Sequence, residues 1–518
     1  MNNKKLKTKN FDFAKWGIYI LIIGILLRFL IAFFIAQPAG DSCWHLSVSR
    51  FIAENHQIPF DENLDRVGMF WPAPLFHVLS AIFYLVFSVF GTAAAELGLK
   101  MVSPLAGAGI LILVYLIIKK QLGQKTAFFA AIFAAFLPIA VYFSTIGYVD
   151  ALLAFFCTLS FYFALERKYI FSGISAGLAV LAKLNGLFII PVVLIVIYLD
   201  YAYNPKQIKS KASSFKAILS NKDFLKSLSL FLFPAIIIGC IWFVRNYFFF
   251  GNPFWPFLQN VFGGPSEAAL TGGSIVTLFS FGHITTAYLG FFGVPDGKIS
   301  NLFVMSGVFF NVFVFIWLAG TVLFCIPFLF GIKGLFRKNF FSRALLVLFV
   351  SFLICTLMYA VNVGNVPIRF MLPAIIVFCF VWAVGVEHIY FLLRKRKRIV
   401  FFAGIILVLL LIGFSSGEII KSKVAADRWN FYSADFSWIK ENADKDARIY
   451  TLFACIRYNT NRSGFFYDKQ TFSEVGSYIL VNAAASPFPP GFVINSSAVE
   501  VYSNEYTGTK IYKVVEVS

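Results

Sequence analysis

The chain has 518 residues, of which 59% are hydrophobic and only 13% charged, and a formal net charge of +19. Apolar runs recur along most of its length, and a run of ~20 residues crosses ~30 Å of hydrocarbon, so a soluble globular protein is excluded. The positive charge does not point to nucleic acid, because most Lys and Arg fall in short loops between apolar runs, where they set orientation, and no basic soluble face is evident.

The first apolar run, about Gly17 to Ala36, follows a Lys-rich lead-in and lacks a small-residue cleavage site, so a retained helix is expected. Basic clusters stand at Lys4–Lys15, Lys119/Lys120/Lys125, Arg167/Lys168, Lys206–Lys226, Lys333–Arg343 and Arg394–Arg398. Placing all six in the cytoplasm gives inward spans at roughly 101–118, 149–166, 186–201, 303–332 and 370–392. Outward spans then fall at roughly 126–143, 170–184, 226–244, 344–362 and 399–416. Pro74–Phe90 is apolar and almost long enough to span. Counting it would put Lys119/Lys120 and the Arg394–Arg398 run outside, so it is expected to lie on or dip into the outer face. The fold class is therefore a polytopic α-helical membrane protein with about 11 transmembrane helices plus an outer-face interfacial helix. The N-terminus is expected in the cytoplasm of a cell whose plasma membrane holds the chain.

Three pieces face outward in this scheme. The first outer loop, 37–100, contains Trp44–Glu54, whose Trp44, Val48, Phe51 and Ile52 recur at helical spacing and read as an interfacial amphipathic helix. The second, 246–301, is rich in Gly, Pro and aromatics. The tail 422–518 has strand-like runs at Arg448–Phe453, Tyr478–Asn482 and Lys510–Val517 and a helical Ala434–Asn442, and is expected to be a small extracytoplasmic α/β domain behind a 1–421 transmembrane domain. The seven cysteines show no CxxC or His/Cys pairing, and five lie in apolar helices as small buried hydrophobes. Cys43 and Cys455 are left where they could meet on the outer side.

Five isolated charges emerge on that same side. Asp41 follows the first span in Gly40-Asp41-Ser42-Cys43-Trp44-His45, and Asp150 opens an inward span after Ser144-Thr145-Ile146-Gly147-Tyr148-Val149. Each could be a helix N-cap, yet carboxylates at a membrane mouth are costly, and two at one lip could share a site that activates a hydroxyl or binds a divalent cation. Lys183, Arg245 and Arg369 stand at outer mouths of other spans, against the rule that keeps Lys and Arg inside. Each alone could be snorkelling. Together with the two anions they suit a membrane-borne phosphate. His45, Asp61, Glu62 and Tyr148 are secondary candidates. Aromatics make up 19% of the chain and are dense in the outer loops, where an interfacial belt explains most of them.

The strings GDSCWHLSVSRFIAENHQIP after the first span, WPAPLFH at 71–77, STIGYVDALLAFF at 144–156, LAKLNGLFIIP at 181–191, WFVRNYFFFGNPFWP at 242–256 and PIRFMLP at 367–373 stand in an order and on a side that are familiar. In these the chain resembles the GT-C superfamily of polytopic glycosyltransferases, most closely its protein mannosyltransferase and aminoarabinose transferase branch, over roughly residues 10–375. The family pattern has Asp-Glu in many members where this chain has Asp41-Ser42, and in some an acidic-basic pair where it has Phe70-Trp71. A second acidic ligand is thus missing or displaced to Asp61, Glu62 or Asp65. Asp41-x-x-x-His45-Leu46 is also similar to oligosaccharyltransferase catalytic subunits, which use a divalent metal, but the C-terminal domain carries no WWDYG-type string.

The resemblance implies transfer of a hexosyl or pentosyl group from a polyprenyl-phosphate sugar to a protein, lipid or glycan acceptor on the non-cytoplasmic face, with inversion. In that role Asp41 is the general base, Asp150 orients the acceptor or a basic side chain, and Lys183, Arg245 and Arg369 bind the donor phosphate. No cofactor is required by the sequence, and a divalent metal is left open. The rival readings are a transporter or flippase for a lipid-linked glycan, a metal-dependent oligosaccharyltransferase-like enzyme, and a non-catalytic assembly subunit. A transporter would place its charges near the midplane, in broken helices arranged as repeats. No internal repeat is visible here.

Overall fold

The computed structural model describes residues 12–35, 38, 41–59, 70, 72–203, 215–255, 258–264, 291, 308–363, 368–396, 398, 430–453, 455–465, 475–482 and 498–516. The expected span 399–416, the 421/422 boundary, and Asp61, Glu62, Asp65 and Trp71 lie outside these. The chain opens with α1 (Phe13–Leu30), which runs into a π turn (Ile31–Ile35), then α2 (Asp41–Asn55), α3 (Leu75–Ser88), α4 (Thr92–Leu99), α5 (Val102–Leu122), α6 (Gln124–Phe136), α7 (Pro138–Phe143), α8 (Val149–Leu165) and α9 (Tyr169–Ala182). A 3-10 turn (Leu184–Phe188) leads to α10 (Ile189–Tyr203), followed by α11 (Phe215–Leu219), α12 (Lys222–Phe250), α13 (Gln259–Phe262), α14 (Val308–Leu335) and α15 (Phe340–Val363). A second 3-10 turn (Ile368–Ala374) precedes α16 (Ile375–Leu393).

Among the described residues, six helical stretches are long and apolar enough to cross a membrane: 13–35, 102–122, 184–203, 222–250, 340–361 and 368–393. The eleven expected spans are not all continuous, for local reasons. Pro138 splits 124–143 into two helices, and α9 stops one residue before Lys183. The expected second outer loop also begins later than residue 246, because the Tyr247–Phe250 aromatics prolong α12 until Gly251, at φ 68°, ends it.

The bundle packs through small residues, as it must where lipid is as apolar as the side chains. Gly24 of α1 leaves space for Ala135 and Leu111, and Gly385 of α16 for the Pro327 backbone of α14. Phe133, Phe324 and Trp382 stack within 5.5 Å of one another, and the Trp382 indole donates to the Phe324 carbonyl at 3.0 Å.

The two ends of the bundle differ in chemistry. At one end Lys120 pairs with Glu166 at 2.6 Å, Arg167 with Asp200 at 2.7 Å and Lys125 with Glu387 at 3.4 Å. At the other end meet Asp41, Asp150, Lys183 and Arg369. The charge threading separates these same groups. α3 and α4 form a hairpin at that second end: the 14 residues of α3 rise about 21 Å, short of the hydrocarbon thickness, and Gly91 turns the chain back. The hairpin leaves beside α2, where His77 meets His45 at 2.9 Å, and returns to Ser103, whose hydroxyl donates to the Tyr148 carbonyl at 3.1 Å. It starts and finishes at one end of the bundle.

The C-terminal residues form α17 (Ser433–Asn442), β1 (Arg448–Tyr450), α18 (Ile456–Thr460), β2 (Ser463–Phe465), β3 (Tyr478–Asn482), β4 (Ala498–Asn504) and β5 (Thr509–Val514). The strands make one sheet in the order β2-β1-β3-β5-β4, parallel on the β1 side and antiparallel through β5. This unit corrects the reading of α2 as an interfacial helix. Trp44, Val48 and Ile52 share a buried cluster with Phe436, Ile439, Ile449, Phe453 and Leu480, so protein covers the apolar face of α2 where lipid was expected. The clamp is covalent as well, since Cys43 is disulfide-bonded to Cys455 with the two Cα atoms 5.0 Å apart. Beside it Arg50 bonds Glu96 at 2.7 Å and the Tyr458 carbonyl at 3.1 Å, and Arg457 lies 5.0 Å from the Phe51 ring centroid. A Cys43→Ser/Cys455→Ser variant is therefore expected to unfold more easily, by about 2–4 kcal/mol. Thermal melts with and without a thiol reductant check this: the reductant should lower the wild-type midpoint and leave the variant's unchanged.

Candidate active site

Each residue of the site is presented by a break in a helix. Asp41 is the first residue of α2, and its Oδ2 accepts from Arg369 Nη1 at 3.0 Å. Arg369 stands in the 3-10 turn before α16, and the same Nη1 donates to the Tyr148 hydroxyl at 3.0 Å. Tyr148 is extended (φ −109°, ψ 144°) just ahead of α8. Gly147, at φ 76°, lets that loop press on Leu46 of α2, where a side chain would collide. The backbone freedom of glycine thus brings Tyr148 to Asp41.

Asp150 is the second residue of α8, and Lys183 follows the last residue of α9 on an extended backbone. Lys183 Nζ donates to Asp150 Oδ1 at 2.8 Å. Asp150 Oδ2 is buried with no hydrogen-bond partner among the described residues. Phe370 lies against both cations, its ring centroid 4.5 Å from Lys183 Nζ and 5.7 Å from Arg369 Cζ. Two ion pairs therefore flank one aromatic ring, and they differ in depth. The Asp150 side chain is 1% exposed and that of Lys183 22%, whereas Asp41 is 56% and Arg369 25% exposed.

Desolvation at the lip raises the Asp41 pKa, but the charge of Arg369, the nearby His45 ring and the hydrogen bonds from Arg369 and Tyr148 outweigh it, and the carboxyl ends below its usual range. Burial pushes the Tyr148 hydroxyl well above its ordinary value, and neighbouring Asp41 adds to this, so the phenol remains a donor. His45, one turn along α2 from Asp41, is buried and its Nδ1 lies 2.9 Å from His77 Nε2. Burial drives its pKa down to about 3; Asp41 opposes this, and Lys183 and Arg369 add to it. The sign for stability follows. Between the ordinary pKa near 6.5 and about 3 the unfolded chain binds a proton that the native state refuses, so stability falls as pH drops through that window. A His45→Gln variant is expected to lose part of the decline in melting temperature that the wild type shows between about pH 7 and pH 5. Parallel slopes for the two proteins would contradict it.

The structure brings Asp41, His45, Tyr148, Asp150, Lys183 and Arg369 together. It does not bring Arg245 into their contacts. Its Nη1 donates to the Phe70 carbonyl and to Asn246 Oδ1, both at 3.0 Å, and its guanidinium lies 4.6 Å from the Trp242 ring centroid. Phe70 in turn meets His77 and Trp242 edge-on, so Arg245 borders the site two aromatic layers away. His77 was not singled out by the sequence reading; its signal was its place at the end of WPAPLFH, on an otherwise apolar helix. Among the described residues no three His, Cys, Asp or Glu side chains converge as ligands for a metal ion.

The model of the family "Dolichyl-phosphate-mannose-protein mannosyltransferase" matches residues 73–220, which include Asp150 and Lys183 but not Asp41, Arg245 or Arg369. The structure of ArnT from Cupriavidus metallidurans bound to undecaprenyl phosphate is similar over 96% of this chain and 98% of that one, with a TM-score of 0.60 and 11% identity. The fold is that of the GT-C proteins, as in ArnT. The archaeal oligosaccharyltransferase AglB from Archaeoglobus fulgidus, in complex with an inhibitory peptide and a dolichol-phosphate, is similar over 89% of this chain and 65% of that one, with a TM-score of 0.53 and 14% identity. The same oligosaccharyltransferase in complex with Zn and sulfate gives a TM-score of 0.55 at 15% identity over 89% of this chain and 63% of that one. No curated protein matches the chain by sequence.

Proposed function

We propose that the chain is an inverting membrane glycosyltransferase that moves a hexosyl or pentosyl group from a polyprenyl-phosphate sugar to an acceptor hydroxyl on the non-cytoplasmic face. The observation that carries this reading is the pair of ion pairs flanking Phe370 at one lip of the bundle. Its two cations suit a single phosphate at headgroup depth, and ArnT and AglB of the same fold hold undecaprenyl phosphate and dolichol-phosphate. In this scheme the donor phosphate enters between Lys183 and Arg369. As Arg369 turns to the phosphate, Asp41 is released from its ion pair, and its basicity rises when it is needed. Asp41 then takes the acceptor proton as the acceptor oxygen bonds to the anomeric carbon. The bond from that carbon to the phosphate oxygen breaks, and polyprenyl phosphate leaves with the electron pair. Each cation that steadies the leaving group contributes ~3–4 kcal/mol in the transition state. Asp150 Oδ2, buried and unpartnered, is available to the acceptor. Arg245 is a third cation at the rim.

The same reading sets the membrane. The end that carries Lys120, Lys125 and Arg167 is cytoplasmic by the positive-inside rule. The lip and the C-terminal unit then face outward, where a disulfide such as Cys43–Cys455 persists. The split helix 124–143, the shorter α8 and α9, and α14 would add four crossings to the six long ones, with 399–416 as the eleventh. A flippase is disfavoured because the paired charges Asp41, Arg369, Asp150 and Lys183 gather at one end of the bundle rather than at mid-depth.

The test is release of undecaprenyl phosphate by purified protein in nanodiscs from a panel of undecaprenyl-phosphate hexoses and pentoses, with and without chelator. Acceptor-dependent release with inverted product supports the reading. Movement of the intact lipid-linked sugar between leaflets, with no release, sinks it.

A further inference from the structure

Arg28 lies inside α1, in an otherwise apolar span, and is 2% exposed. A charge at such depth persists where it meets polar groups that need it. Among the described residues its hydrogen-bond partners include no carboxylate. Nη1 donates to the carbonyls of Gly24 at 2.9 Å and Ala135 at 3.0 Å, Nη2 to the carbonyl of Ala134 at 2.8 Å, and Nε to the Ser144 hydroxyl at 3.1 Å.

Which carbonyls these are gives the reason. α6 stops at Phe136, Leu137 is extended at φ −60° and ψ 119°, and α7 starts at Pro138. Proline has no N–H, so the Ala134 carbonyl loses the partner four residues on. Ala135 belongs to the same last turn, whose carbonyls are orphaned. In hydrocarbon such groups cannot turn to water. Arg28 satisfies both and sets a cation at the negative end of α6. The same guanidinium then holds Ser144, whose hydroxyl bonds the Ala140 carbonyl and closes α7. Gly107 of α5 leaves the space this needs, since a side chain there would collide with Ser144 and Arg28. A small cavity bounded by Arg28, Ser144, Ala151, Leu372 and Ile375 brings the arginine to the border of α8 and of the turn that carries Arg369. Tyr148 and Asp150 lie four and six residues after Ser144 in the chain.

We propose that Arg28 is a positioning residue of the site: by tying the broken end of α6 to Ser144, it fixes where the 144–150 segment presents Tyr148 and Asp150. The role rests on the reading of the lip as a polyprenyl-phosphate site. Full-length Arg28→Met and Arg28→Met/Pro138→Ala proteins separate positioning from stabilisation, because alanine at 138 restores the N–H that the Ala134 carbonyl lacks and lets the helix continue straight. The readouts are hydrogen exchange over 137–150, melting temperature, and affinity for undecaprenyl phosphate. Arg28→Met should exchange faster over 137–150, melt earlier and bind undecaprenyl phosphate roughly tenfold or more weakly. The double variant should regain the melting temperature and the exchange protection but not the affinity, since a straight helix carries residues 144–150 away from Arg369 and Lys183. Recovery of affinity together with melting temperature would overturn the proposal, as would unchanged exchange over 137–150 in Arg28→Met. If the single variant does not fold, the double variant decides alone. A wild type that binds no undecaprenyl phosphate counts against the proposed function, and the exchange data then decide whether Arg28 fixes the segment.

Discussion

Asp41→Asn is expected to reduce sugar transfer by about a hundredfold to ten-thousandfold, the usual contribution of a positioned general base, while leaving the protein folded. The two effects separate because the Asp41 side chain is 56% exposed. A half-exposed ion pair is worth only about 0–1 kcal/mol, so melting temperature should hardly move. Amide for carboxylate keeps an acceptor oxygen near Arg369 but removes the basicity that receives the acceptor proton. Undecaprenyl phosphate should bind as well or more tightly, because Arg369 no longer has a charged rival. Equal loss of binding and transfer would mean that Asp41 builds the donor site and does no proton chemistry. Transfer at the wild-type rate would remove it from the mechanism.

Lys183→Met should give the largest effect on stability. It leaves the Asp150 carboxylate, 1% exposed, without its partner, and breaking one side of a buried pair costs about 3–5 kcal/mol. That is enough to threaten the whole domain. Lys183→Met/Asp150→Asn should recover most of the lost melting temperature, since both charges are then gone. It should not recover donor binding, because the phosphate still lacks its cation. A double variant that bound undecaprenyl phosphate normally would show that Lys183 serves only to neutralise Asp150.

Much of this site was legible in the sequence because charge is so rare in the membrane that each isolated charge marks a position. Asp41, Asp150, Lys183 and Arg369 stood out for that reason, and loop charges alone assigned them one side. The pairing was not legible. Asp41 could equally have faced Lys183, and only the breaks after α9 and before α16 decide that it meets Arg369. Arg245 carried the same sequence signal as the other cations but is held on neighbouring Trp242 and on the Phe70 carbonyl, the latter a contact across 175 residues. The apolar face of α2 was read correctly as a face but given the wrong partner, since a sheet from the far end of the chain and a lipid surface demand the same pattern. Within that sheet, β2 is three residues long and β4 is an exposed edge strand, and neither alternates strongly enough to be seen. Arg28 escaped notice because its partners are carbonyls freed by a proline more than a hundred residues away.

The most direct measurement is a cryo-electron microscopy structure of the protein with undecaprenyl phosphate. The phosphate is expected within hydrogen-bonding distance of both Lys183 Nζ and the Arg369 guanidinium, with Asp41 released from Arg369 and open to the outer side. A phosphate bound at mid-depth, or at the end that carries Lys120 and Arg167, would contradict the account.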